Sequence, residues 1–110
     1  MPKFQAYPAD LHIHSKYSGA TSSRMVIDTI AQQAKLKGLA FVGTGDVFHP
    51  KWFESVKMEL EEVAEGTFEH PRYHTRFILT VEVEDNRRVH HLIFLPSLTI
   101  VKMLSQMSRM

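Results

Sequence analysis

Apolar and polar positions along this chain repeat with two periods, and the changes of period divide it into elements. Residues 4–13 form an apolar approach ending in Asp10-Leu11-His12-Ile13-His14 and read as a strand. From about 22 to 37, Val26, Ile30 and Ala34, with Ile27 and Ala31 beside them, form a helical stripe. Ser22 or Ser23 can cap its start, Lys35 and Lys37 suit the negative end of its dipole, and Gly38 suits the position just past its end. Leu39-Ala40-Phe41-Val42 is a short continuous apolar run, the mark of a strand buried on both faces. Pro50 fits the first turn of a second helix over 50–64, with Trp52, Phe53, Val56, Leu60 and Val63 on one side. Gly66 and Pro71 break the pattern, so 65–74 is expected to be irregular. Residues 76–84 and 88–95 read as a third and a fourth strand, joined tightly by Asp85-Asn86-Arg87 so that they can pair as a hairpin. Residues 97–109 carry the last helical stripe, on Ile100, Met103, Leu104 and Met107.

The order β-α-β-α-β-β-α predicts an α/β fold with a mostly parallel sheet. At 110 residues, with no repeat, low-complexity tract or linker, the chain is one small domain or part of one. Its 44% hydrophobic and 23% charged residues are ordinary for a globular chain, and a net charge of +1 gives no global electrostatic case for nucleic acid. There is no cysteine, which excludes disulfides and thiolate metal sites and fits a reducing compartment. The N-terminus lacks the apolar core of a signal peptide, and no window reaches the ~20 apolar residues that cross a bilayer. A cytoplasmic protein with no membrane partner is the expectation. Histidine is the anomaly: there are seven, all before Pro96.

In α/β folds chemistry gathers at the C-terminal ends of the strands, where His14, Asp46, His49, Glu82 and Glu84 fall. Side chains alternate on a strand, so Asp10, His12 and His14 share a face. Two imidazoles so spaced can converge on a metal ion, and Asp10 could orient one ring through its other N–H. The plainer reading is a solvated polar face. In Gly43-Thr44-Gly45-Asp46-Val47-Phe48-His49-Pro50, Asp46 and His49 could reach the same metal, or simply cap the helix that follows. Glu82 and Glu84 share a strand face; Glu82 is the inner one and Glu84 sits by the turn. His90 and His91 must face opposite sides, one as a ligand and the other structural. His70 and His74 read as surface residues, and Arg72, Arg76, Arg87 and Arg88 as phosphate contacts or a solvated rim. Imidazole and carboxylate donors without thiolate suit zinc, manganese or iron.

Asp10-Leu11-His12-Ile13-His14-Ser15 followed by Ser18-Gly19 resembles the opening motif of the PHP (polymerase and histidinol phosphatase) superfamily. The likeness extends to Gly43-Thr44-Gly45-Asp46 with His49-Pro50, to Val81-Glu82-Val83, and to His90-His91-Leu92-Ile93-Phe94-Leu95. The doubled histidine and the His49-Pro50 variant are most similar to the endonuclease Q branch, whose members nick DNA beside deaminated bases. The resemblance implies a distorted (β/α)7 barrel with two or three divalent metal ions. By position His12, His14, Asp46 or His49, Glu82 and His91 would be ligands, with Glu82 bridging two metals and Glu82 and Asp46 carrying the catalysis.

The chain departs from that pattern in two places. Gly19 and Ala20 stand where the family often has an acidic residue or histidine, and the family's later histidines and D-x-H would lie beyond Met110. Residues 1–110 are therefore expected to be an N-terminal fragment with about the first four strands of the barrel. The function so implied is metal-dependent phosphodiester hydrolysis on DNA, in repair. The alternatives are a phosphomonoesterase of the histidinol-phosphatase type and a non-catalytic metal-binding remnant. An unclosed barrel should leave Phe77-Ile78-Leu79 and Leu92-Ile93-Phe94-Leu95 partly uncovered, with self-association through an open sheet edge.

Overall fold

The computed structural model describes residues 6–17 and 25–107. The expected start of the first strand at Phe4, the caps at Ser22 or Ser23, and Ser18 to Ala20 lie outside the described residues. In chain order the elements are β1 (Ala9–Asp10), α1 (Ile27–Leu36), β2 (Phe41–Gly43), α2 (Pro50–Glu59), β3 (Glu61–Ala64), β4 (Thr67–Glu69), β5 (Arg76–Ile78), β6 (Thr80–Glu84), β7 (His90–Phe94) and α3 (Leu98–Met107). A five-stranded sheet has the order β1-β2-β5-β4-β3, and β6 pairs with β7 separately. The sheet is mixed rather than mostly parallel: β1, β2 and β5 run parallel, β4 adds antiparallel to β5, and β3 antiparallel to β4. The described residues form an open sheet and a hairpin, without barrel closure.

Local sequence explains the helices. Ile27, Ile30, Ala31 and Ala34 of α1 are buried, and Val26 is its N-cap, in extended conformation with no side-chain cap. At its end Gly38 takes φ +73, Gly38 N–H donates to the Lys35 carbonyl at 3.1 Å, and Leu39 N–H to the Ala34 carbonyl at 2.9 Å. That is a Schellman ending, which requires the left-handed conformation glycine adopts freely. α2 starts at Pro50, which loses no helical N–H there, and seats Trp52 and Val56 in the core beside Val42, Phe77 and Leu79. None of the three helices among the described residues is long and apolar enough to cross a membrane.

Three expectations are corrected. The second helix stops at Glu59 instead of 64: residues 61–64 are β3, paired antiparallel with β4 across a turn with Gly66 at φ +72. The predicted third strand, 76–84, is two strands. β5 ends at Ile78, Leu79 is fully buried, and β6 begins at Thr80 in the other sheet. The Thr44 hydroxyl makes this break possible, accepting from Thr80 N–H at 3.0 Å and donating to the Thr80 carbonyl at 3.3 Å. Side-chain bonds thus replace a strand partner at the bend. Finally, Phe77 and Leu79 are buried rather than uncovered, as is Leu95; in the second apolar run the exposed residues are Ile93 at 37% and Phe94 at 52%.

Candidate metal centre

The site lies where the segments following β1 and β2 press together and β6 departs beside them. A Cβ on Gly43 would collide with the Leu11 carbonyl oxygen and the Thr80 hydroxyl, and one on Gly45 with the Ile13 carbonyl oxygen. Glycine at both positions lets the backbones approach this closely. Gly45, at φ +61, donates its N–H to Thr80 Oγ1 at 2.9 Å. Asp46, at φ +43, accepts from both the backbone N–H and the hydroxyl of the buried Ser15, each at 2.7 Å. The histidine-bearing segment is therefore tied to the 43–46 segment by backbone contact and by one carboxylate.

Glu82 lies two residues beyond Thr80, on the same face of β6. Its Oε2 contacts His12 Nε2 and lies 3.7 Å from His14 Nε2, while its Oε1 contacts His90 Nδ1. The His12 and His14 rings stand 5.3 Å apart between centroids. Hydrogen bonds from His90 first and then His12 hold the Glu82 carboxyl below the usual carboxylate range. Among the described residues, His12, His14 and Glu82 form the one group of three or more potential ligands whose donor atoms all lie within 4.8 Å of one another. Two imidazoles and a carboxylate fit a divalent transition ion and leave coordination positions open.

The other expected residues are placed elsewhere. β1 ends at Asp10, so His12 and His14 sit just past the strand, and Asp10 accepts from the His12 backbone N–H at 3.3 Å rather than from a ring. Asp46 Oδ2 is taken up by Ser15, and Asp46 is not among the three residues whose donor atoms lie within 4.8 Å of one another. His49 is the N-cap of α2: its Nδ1 accepts from Lys51 N–H at 3.2 Å, and its ring stacks on Tyr17 with centroids 4.2 Å apart. His91 lies opposite Val83, on the face away from Glu82, with its Nε2 2.9 Å from Asp85 Oδ2. The choice between His90 and His91, which the sequence left open, falls on His90 as the neighbour of Glu82. His90 pairs across the hairpin with Glu84 and so shares the Glu82 face. Counting outward from the turn would have decided it. His70, expected at the surface, is buried: its Nδ1 accepts from Arg72 and Tyr73 N–H at 3.1 and 3.2 Å, and its Nε2 faces Asp28 of α1 at 2.6 Å. Exposed His74 is placed as expected.

No family model matches this chain. It is 44% identical over 97 residues to an uncharacterised protein of Methanocaldococcus jannaschii, an alignment covering 88% of this chain and 11% of that protein. Among solved structures it superposes on the lesion-specific endonuclease PfuEndoQ from Pyrococcus furiosus with a TM-score of 0.87 and 46% identity, over 94% of this chain and 25% of that one. Its structural neighbours are molecules of endonuclease Q. The second is a complex of endonuclease Q with a 27-mer duplex substrate bearing an abasic lesion at the active site, at TM-score 0.84 and 47% identity, over 91% of this chain and 25% of that one. The chain thus spans about a quarter of the length of those structures and about a tenth of the M. jannaschii protein.

Proposed function

We propose that this chain carries part of the metal centre of a lesion-directed DNA endonuclease, which cleaves a phosphodiester beside damaged bases. The observation that carries the reading is the convergence of His12, His14 and Glu82 in a chain built like a lesion-specific endonuclease. Neutral His12 and His14 would supply nitrogen donors. Glu82, kept ionised by its histidine contacts, would offer one oxygen on the His12 and His14 side and the other on the His90 side. His12, His14 and Glu82, with His90 on the other carboxylate oxygen, would be the residues that hold divalent ions of zinc, manganese or iron. When bound, such ions supply Lewis-acid activation of water and neutralise charge on the phosphate. Asp46 acts in this reading by holding Ser15, and through it the histidine segment, in register. His49 and His91 act by capping α2 and by bracing the hairpin turn.

The test is nicking of a duplex carrying one abasic site, with added manganese or zinc, against a lesion-free duplex and a small phosphomonoester. Weak metal-dependent nicking at the lesion, lost in Glu82→Gln, is the expected result of a chain that carries part of the centre. Cleavage of the monoester alone would replace this reading with a phosphatase, and metal binding without turnover would leave a metal-binding remnant.

A further inference from the structure

The hairpin that carries Glu82 and His90 ends in a turn tied down more firmly than a connection requires. Asp85 Oδ1 accepts from Arg87 N–H at 2.8 Å and Val89 N–H at 3.0 Å, and its Oδ2 faces His91 at 2.9 Å. Arg88 N–H donates to the Asp85 carbonyl at 3.0 Å, and Asp85 N–H to that of Val89 at 2.9 Å. Every one of these bonds uses backbone or the Asp85 and His91 side chains. Among the described residues nothing pairs with the Arg87 or Arg88 guanidinium, and both residues are exposed. Arg88 is held at φ +63, where glycine or asparagine is the ordinary choice. Two unpaired arginines are thus carried on a braced turn at the tip of the hairpin that holds the metal-site carboxylate.

We propose that Arg87 and Arg88 are positioning residues that grip phosphates of the DNA strand flanking the metal centre. The inference rests on the nuclease reading and adds where the strand runs. Three residue steps along β6 and out of it lead from Glu82 to Asp85, about 10 Å at ~3.3 Å per step. At about 3.4 Å of helix axis per nucleotide, the tip reaches phosphates about three nucleotides from the cleaved bond. The guanidinium fork matches phosphate oxygens in a bidentate way that lysine cannot. A turn already fixed by Asp85 loses little further freedom on binding.

The experiment measures binding of the 110-residue chain to the abasic duplex by fluorescence anisotropy across a salt series. It compares the double variant Arg87→Gln/Arg88→Gly, the lysine pair Arg87→Lys/Arg88→Lys, and Lys35→Gln on α1. Gly is at ease at φ +63, so weakened binding in the first variant does not come from misfolding, and its melting temperature checks this. Loss of two phosphate contacts should make the slope of log K against log salt shallower by about 1.8. The lysine pair should keep the parent slope, and so should Lys35→Gln. An unchanged slope in the Gln/Gly variant, or an equal fall in Lys35→Gln, would overturn the anchor while leaving the nuclease reading standing. Normal binding with the predicted slope change but no nicking would overturn the nuclease reading and keep the anchor. Absence of DNA binding at every salt concentration would overturn both.

Discussion

Replacing Gly45 by alanine probes the close approach that brings the histidines to Glu82. Two separate costs arise at this position. A side chain at φ +61 is disfavoured by about 1–2 kcal/mol. The added Cβ would also overlap the Ile13 carbonyl oxygen, with Ile13 C at 3.1 Å and His14 Cα at 3.6 Å. Rotating the peptide away would break the bond from Gly45 N–H to buried Thr80. The 12–14 segment must therefore move, at the cost of about 1–3 kcal/mol typical of overpacking. Gly38→Ala is the internal reference, because Gly38 has φ +73 but nothing within 4 Å of its would-be Cβ. Gly38→Ala should lose about 1–2 kcal/mol and Gly45→Ala about 2–5 kcal/mol. Urea unfolding followed by the fluorescence of the single tryptophan, Trp52, measures both. A metal titration of each variant adds a second readout, since displacing His14 should weaken binding only in Gly45→Ala. Equal stabilities for the two alanine variants, or parental metal affinity in Gly45→Ala, would refute the argument.

Three further outcomes are expected. Free zinc or manganese at 100 times its dissociation constant should stabilise the chain by about 2.7 kcal/mol, and His12→Ala should abolish the effect; melts indifferent to chelator would contradict a metal centre. The Asp85 carboxyl is held below its usual range by His91 first and then by Val89 N–H. Its contribution is full above the unfolded carboxylate's pKa and is lost as pH falls through the depressed folded value, so Asp85→Asn should flatten the acid limb of the stability profile. An acid limb identical in both proteins would remove Asp85 from the account. Exposed Ile93 and Phe94 on β7 should make the chain self-associate as concentration rises, and Phe94→Ser should suppress it; sedimentation of the parent as a monomer at every concentration tested would count against that edge.

What could be read in the sequence is what short range decides. The α1 stripe, its ending at Gly38 and the start of α2 at Pro50 depend on residues within one or two helical turns, and the structure has them there. The β6–β7 hairpin follows from a polar turn between two apolar runs, which is equally local. His12, His14 and Glu82 were legible as a candidate group because each falls near the end of an apolar run, where α/β folds collect polar side chains. Contacts between distant segments decided the rest. Residues 61–64, with two glutamates and an alanine, suit a helix by local preference, and only pairing with β4 holds them extended. The run from Arg76 to Glu84 has no local break signal; it divides at Leu79 because Thr44, 36 residues earlier, satisfies the Thr80 backbone. His70 is buried because Asp28, 42 residues away on α1, meets its ring. Asp46 became the tie to Ser15 for the same reason: a carboxylate bonds whichever donors the fold brings to it, and neighbours in sequence do not say which those will be.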